Sequence, residues 1–255
     1  AQSLAVEHFS IEIEGRQAAR EALFAGQAHE RFGIVVTSPL GALGASLLIE
    51  IRTSDPDYGG NDCIWAADGS DVVIGGSGND ILDAGTDASR DIVVGDNGYA
   101  LFDLVNVGGQ WRGVLREIRT TSPEIGGEDE IIVGNGDDVV IAGKGRDFVN
   151  YARPATPGVM PVKIGNDEGA DVMLGDNGFA LFSTTTGVSL LVRIETTDPA
   201  QGEDDFIFAG NGPDVVFGGS GNDVIDAGTD EAPDIVVGDN GRAFFTPAQV
   251  LTLIY

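Results

Sequence analysis

The chain of 255 residues has a single cysteine, Cys63, and only two histidines, His8 and His29. One thiol excludes an internal disulfide framework. The histidines lie far from any companion ligand or nucleophile, so they read as surface side chains. Basic residues are scarce as well: 14 lysines and arginines stand against 41 acidic residues, for a net charge of -27. Nucleic acids and anionic membrane surfaces both require basic patches, and the chain has none to offer. No apolar run reaches the roughly 18 residues that a membrane span needs. The opening "AQSLAVEHFSIEIEG" lacks the basic start and apolar run of a secretory leader. There is no HExxH and no GxSxG, and the repeats supply no histidine to activate Cys63. A catalytic site is therefore not expected in these residues.

What the chain does have is glycine, 38 residues of it, and an apolar content of 42%, enough for a sizeable core. A phrase made of glycine and aspartate recurs: "GGSGNDILDAGTD" at 75–87 returns as "GGSGNDVIDAGTD" at 218–230. The phrase belongs to a larger unit present three times. Each copy opens on related words, "EIRTSDPDYGGND", "EIRTTSPEIGGED" and "RIETTDPAQGEDD", and closes on "DIVVGDNG", "DVMLGDNG" and "DIVVGDNG". Between one closer and the next opening lies an alternating apolar segment with a turn in its middle, as in "YALFDLVNVGGQWRGVLREI", which reads as a β-hairpin.

These marks divide the chain into a segment outside the repeat (1–31), three units of hairpin plus glycine-rich roll (32–98, 99–178 and 179–241), and the start of a further hairpin (242–255). Residues 1–31 read as a strand followed by a short helix over "GRQAAREALFAGQAHER". The second unit carries an insertion, 151–163, which holds three prolines, replaces the "DAGTD" word and reads as a surface loop. The last words, "RAFFTPAQVLTLIY", are read as an end strand awaiting a partner or as the cut edge of a longer array.

Inside each unit aspartates fall nine apart: Asp62, Asp71 and Asp80; Asp129, Asp138 and Asp147; Asp205, Asp214 and Asp223. A helix would scatter this period. A tight glycine turn followed by a short strand explains it, with two nonapeptides making one coil of a parallel β-roll. Coils about 4.8 Å apart bring Asp62 onto Asp80, Asp129 onto Asp147, and Asp205 onto Asp223. Two carboxylates at that spacing repel by about 1 kcal/mol even at the dielectric of water, so a cation is needed between the turns. The turns Gly76 and Gly78, Gly134 and Gly136, Gly143 and Gly145, Gly210 and Gly212, and Gly219 and Gly221 present carbonyl oxygens to the same gap. The closers add Asp91, Asp171 and Asp234. A flexible site built of oxygens alone prefers calcium, and several Ca2+ ions are expected.

"GGSGNDILD" and "GGSGNDVID" resemble the hemolysin-type calcium-binding (RTX) nonapeptide repeat. The resemblance covers a little under half of the chain and implies an all-β fold of parallel β-roll segments alternating with hairpins in an elongated array. It also implies calcium on the turn aspartates and carbonyls, folding driven by extracellular calcium, and secretion from a bacterium by type I export. The intervening hairpins resemble, more loosely, those of large repetitive bacterial surface proteins. Three functions follow as expectations: a structural or adhesive segment of a secreted or cell-surface protein, the calcium-binding export module of a secreted enzyme or toxin, or a subunit that assembles with copies of itself. An acidic surface adapted to salt would explain the charge but not the nine-residue period.

Some positions depart from the pattern. Ala67 stands where a turn glycine is expected, and Glu203 occupies the place held by Gly60 and Gly127, which puts the site of Asp205 in question. Asp80 and Asp91 are 11 apart, as are Asp223 and Asp234, so those turns are wider and Asp87 and Asp230 are candidate extra ligands. Asp96, Asp176 and Asp239 in the "GDNG" closers read equally as turn residues or as ligands.

Overall fold

The computed structural model describes residues 47–255, except 157, 247 and 249, together with the strand Ala22–Leu23. It is all-β, in three layers. Among the described residues no helix is long and apolar enough to cross a membrane.

Two layers are parallel sheets wound from one path of short strands and glycine turns. The middle layer stacks Ala22–Leu23, Val72–Ile74, Ile92–Val94, Val139–Gly143, Val172–Asp176, Val215–Gly219 and Ile235–Asp239. The outer layer stacks Cys63–Trp65, Ile81–Asp83, Glu130–Ile132, Phe148–Val149, Phe206–Phe208 and Val224–Asp226. The chain alternates between the two layers, which is the β-roll.

The third layer is antiparallel and runs in the order Glu50–Arg52, Gly98–Val107, Gln110–Thr120, Gly178–Ser183, Leu190–Thr196, Arg242–Phe245 and Leu251–Ile254. Hairpins that alternate with rolls along the sequence thus do not alternate with them in space. They lie side by side as one sheet along the middle layer, and the roll passes without interruption from unit to unit: Ile81–Asp83 pairs with Glu130–Ile132, and Phe148–Val149 with Phe206–Ile207. The hairpin at 98–120 turns through Gly108 and Gly109, both with positive φ (59° and 86°), as a two-residue turn between twisted strands requires.

The middle layer is covered on both faces, which is why its strands read as unbroken apolar words such as "VVI" and "IVV". Val73, Val93, Val140, Met173 and Val216 pack toward the outer sheet with Ile64, Leu82, Ile131 and Ile207. Their neighbours in sequence, among them Val72, Ile74, Ile141, Leu174 and Phe217, pack toward the hairpin sheet with Ile51, Ile118 and Ile194. Those three isoleucines are the centres of the three opening words, so the words mark where each hairpin meets the core.

Three expectations change. Residues 242–255, read as the start of a hairpin and an end strand awaiting a partner, hold both arms, since Arg242–Phe245 pairs with Leu251–Ile254 on one side and with Leu190–Thr196 on the other. Ala22 and Leu23, inside the segment read as a short helix, form a strand that pairs in parallel with Val72 and Val73; the rest of 1–31 and the first arm of the first hairpin lie outside the described residues. The insertion at 151–163 begins and ends in a small antiparallel pair, Tyr151–Ala152 with Val162–Lys163, and is more than a surface loop. It lies over the outer sheet, where Phe148 and Phe206 stack at 5.4 Å. Tyr151 meets Phe206 edge-on at 6.0 Å, and the Lys163 ammonium sits 4.1 Å from the centre of the Phe208 ring while pairing with Asp226. The prolines of the loop cannot donate to a ladder, and the aromatic face beneath supplies the attachment.

Two aspartate ladders as candidate metal sites

From Cys63 onward each strand of the two parallel sheets is preceded by one aspartate, and the roll stacks these aspartates into two ladders of six. The outer-sheet ladder runs Asp62, Asp80, Asp129, Asp147, Asp205, Asp223. Each backbone amide donates to Oδ1 of the next carboxylate, at 2.8, 2.8, 2.7, 2.8 and 3.0 Å in turn. The middle-sheet ladder runs Asp71, Asp91, Asp138, Asp171, Asp214, Asp234, with the same bonds at 2.9, 2.7, 2.7, 2.9 and 3.1 Å. The pairs expected within units, Asp62 with Asp80, Asp129 with Asp147 and Asp205 with Asp223, are adjacent rungs. Rungs also join across units, Asp80 to Asp129 and Asp147 to Asp205, which the nine-residue period does not reveal.

The inner rungs are sealed. Asp80, Asp129, Asp138, Asp147 and Asp205 expose none of their surface. Since Oδ1 is taken by the neighbouring amide, Oδ2 remains, and on Asp80, Asp129, Asp147, Asp205 and Asp223 of one ladder and Asp138, Asp171 and Asp214 of the other it is buried without a hydrogen-bond partner. Burial raises these carboxyls above the usual carboxylate range, to about 6 at Asp80, about 8 at Asp91 and about 7 at Asp138 and Asp214. At Asp129, Asp147 and Asp205 burial and then the charge of neighbouring aspartates push the carboxyls well above it. Donated backbone hydrogen bonds oppose the shift and do not cancel it.

The turn glycines line the same gaps. A Cβ on Gly78 would fall 2.3 Å from the carbonyl oxygen of Gly60, one on Gly145 2.1 Å from that of Gly127, and one on Gly212 1.6 Å from that of Gly169. Carbonyl oxygens therefore stack rung on rung beside the carboxylates. Gly76, Gly143 and Gly219 have positive φ (101°, 117° and 114°), and Gly221 does too (143°). Gly134, Gly136 and Gly210 are held by close approach: a side chain there would strike Thr86, the Ser89 carbonyl and Asp167 respectively. Glycines outside the expected set matter equally. A Cβ on Gly75, Gly95, Gly175 or Gly218 would lie 2.5, 2.5, 2.3 or 2.4 Å from Oδ2 of Asp80, Asp129, Asp205 or Asp223. The first glycine of "GGSG" and the glycine of "GDNG" thus perform one task, legible only in that each stands four residues after a middle-sheet aspartate.

The departures from the pattern resolve in the structure. The Glu203 carbonyl lies 2.3 Å from where Gly221 would carry a Cβ, matching Gly60 under Gly78. The place needs a carbonyl, not a glycine. Ala67 takes the left-handed conformation itself, φ 67°. Asp96 is buried, accepts the Gly127 amide at 2.9 Å and the Lys144 amide on its other oxygen, and so closes the turns of the next unit; Asp176 accepts the Ser220 amide in the same way. Asp239, their counterpart at the last rung, is exposed. Asp87 and Asp230 fold back onto their own turns, accepting the amides of Ser89 and Ala232 at 2.6 and 3.1 Å. Asp167, absent from every expectation, is buried among Asp138, Asp171 and Asn150.

A parallel roll edged by ladders of buried carboxylates and stacked carbonyls is an all-oxygen scaffold. The model of the RTX calcium-binding nonapeptide repeat matches the chain in four copies, at residues 58–90, 68–99, 126–152 and 200–231. Over those stretches the chain carries RTX repeats of the calcium-binding kind. The matched stretches stop short of Asp171 and Asp234, which the backbone bonds place in the same ladder as the matched aspartates. No curated protein matches the chain.

Proposed function

We propose that the two ladders hold rows of calcium ions and that calcium folds and stiffens the chain, which serves as a structural or adhesive segment of a large secreted or cell-surface bacterial protein. The observation that carries this reading is the set of eight buried Oδ2 atoms without partners. An acceptor left unsatisfied in the interior costs about 1–3 kcal/mol. Eight of them cost about 8–24 kcal/mol, comparable with or larger than the net stability of a domain, about 5–15 kcal/mol. Protonation or a cation must therefore accompany folding. Near neutral pH the cation is the better partner, because the chain carries a charge of -27 that ten or so protons would not offset.

The residues fit that ion. Ladder carboxylates Asp62, Asp71, Asp80, Asp91, Asp129, Asp138, Asp147, Asp171, Asp205, Asp214, Asp223 and Asp234 supply one shell of oxygens, and the turn carbonyls supply the rest. Bound calcium would neutralise the stacked carboxylates and tie consecutive rungs together, including the rungs that join one unit to the next. Extracellular sites of this class bind at about 0.1–1 mM. At ten to a hundred times that dissociation constant each ion adds about 1.4–2.7 kcal/mol to folding.

Circular dichroism during a calcium titration, with ions counted by equilibrium dialysis, tests the reading. The β signal should grow with calcium and vanish with chelator at low salt and neutral pH. A β signal indifferent to chelator, with fewer than two ions bound per chain at millimolar calcium, would refute it. The adhesive and export roles part on what flanks the segment in its parent protein, and self-assembly on whether light scattering rises with calcium.

A further inference from the structure

The ladders are regular except at one place. Between Asp138 and Asp171 the chain runs through the insertion and returns by "GNDEGAD", 165–171, and there a third carboxylate, Asp167, enters the roll. One carboxylate oxygen each from Asp138, Asp167 and Asp171 lie within 4.8 Å of one another. All three residues are at least 98% buried, and each keeps one oxygen with no hydrogen-bond partner.

Sequence position alone does not produce this cluster. Asp87 and Asp230 stand four residues before their ladder aspartates, Asp91 and Asp234, as Asp167 stands before Asp171. Both spend their carboxylates on the amide two residues ahead. Asp167 instead turns inward, where the Asn150 side-chain amide donates to its Oδ2 at 3.0 Å. Asn150 is itself fixed: its φ is +54°, its Oδ1 accepts the Val133 amide at 3.0 Å, and its Nδ2 also reaches the Phe208 carbonyl at 3.1 Å. In the other two copies the same place is Asp83 or Asp226, each of which accepts an amide of its own turn instead. The exchange of aspartate for asparagine converts an acceptor into the donor that holds Asp167 in the interior. With Oδ1 committed to Val133 and Nδ2 a donor, Asn150 is a positioning residue and not a ligand.

Three buried carboxylates with free oxygens, no nitrogen or sulfur ligand among them, and the carbonyls of Gly136 and Gly169 stacked on the same edge form a hard-oxygen site. We propose that Asp138, Asp167 and Asp171 together hold one divalent cation of the calcium class, in a site set apart from the regular rungs by its third carboxylate, and that this site fills first. The proposal rests on the reading that ladder oxygens take calcium. It adds an order of filling, because affinity in such sites follows ligand charge and rigidity, and here three carboxylate oxygens converge within 4.8 Å and the third carboxylate is clamped. The insertion then has a purpose in the array: it places Asp167.

Calorimetry and equilibrium dialysis with calcium alone test this on the full chain. The wild type should bind one equivalent at a free calcium at least tenfold below the midpoint of the remaining ions. Asp167→Asn should lose that equivalent while the later ones persist, and Asp87→Asn should keep it. Asp80→Asn, on the other ladder, should lose later ions and keep the first. Retention of the first equivalent by Asp167→Asn overturns the order of filling, and if Asp80→Asn still lowers the total, the ladder reading stands without it. Failure of the wild type to bind calcium overturns both. A structure-based readout free of mutants is a crystal of the wild type with one equivalent of holmium: the anomalous peak should fall among Asp138, Asp167 and Asp171, and a first peak anywhere else overturns the proposal.

Discussion

The backbone amide of Asp147 donates to Oδ1 of Asp205 at 2.8 Å although 58 residues separate them, and Asp147 in turn accepts the amide of Asp129 at 2.7 Å. The first bond crosses from the second unit to the third; the second lies within one unit. Nothing in their geometry tells them apart. The roll is a single stack, and each aspartate serves both the backbone beneath it and the ion proposed beside it.

Removal of one carboxylate should therefore be felt on both accounts. Asp205→Ala leaves the buried Asp147 amide without its acceptor, a cost of about 1–3 kcal/mol, and removes a ligand from the proposed row. Urea unfolding in excess calcium should show a loss of at least that size, larger than in chelator-free apo protein at acid pH, where only the hydrogen bond is at stake. Equal losses in the two conditions would separate Asp205 from calcium.

Stability without calcium should fall as pH rises. The carboxyls of Asp80, Asp138, Asp214 and Asp91 are raised by burial to about 6, 7, 7 and 8, from an ordinary value near 3.8. A group raised on folding binds its proton more tightly in the native state. Its contribution is complete below the unfolded value and is lost as pH climbs through the folded one. In chelator, thermal unfolding should thus shift downward between about pH 4 and pH 8. An upward shift over that window would contradict the burial of the ladders.

Two glycines in the same word should behave differently. Gly95 and Gly238 are both the glycine of "IVVGDNG". A Cβ on Gly95 would meet the Ala142 carbonyl at 2.2 Å and Oδ2 of Asp129 at 2.5 Å, whereas one on Gly238 meets nothing within 4 Å. Gly95→Ala should cost about 1–3 kcal/mol or more through forced displacement, and Gly238→Ala should stay within about 0.5 kcal/mol. Denaturant midpoints at fixed calcium compare them.

Ala67→Gly should stabilise the chain. Ala67 is exposed and holds φ at 67°, a region that costs a residue with a Cβ about 1–2 kcal/mol. Glycine relieves the strain and gives back part of the gain in unfolded-state entropy, so a net increase of about 0.5–1 kcal/mol is expected. A midpoint that falls would mean that the Ala67 methyl makes a contact worth more than the strain.

Much of the site was legible because its chemistry is local. The spacing of Asp62, Asp71 and Asp80 already contains the coil, since a turn of glycines and a three-residue strand repeat every nine residues wherever they occur. The apolar words that follow each aspartate contain the two covered faces of the middle sheet. The hairpins around Gly108 and Thr185 were legible for the same reason: alternation and a turn are properties of a short segment.

The sequence by itself determined the strands, the turns, the carboxylate on each turn and the all-oxygen character of the ladders, because each depends on residues within about one coil of one another. Only the tertiary structure decided that Asp80 sits under Asp129 across 49 residues, that three separate hairpins close into one sheet over Val72, Ile141 and Phe217, and that Asp167 turns inward where Asp87 and Asp230 do not. The physical reason is that stacking is set by what lies on the neighbouring rung. An aspartate of one local pattern becomes a turn cap or a buried carboxylate according to whether an Asn150 stands beside it, and a glycine is indispensable or indifferent according to whether a carbonyl approaches its Cα.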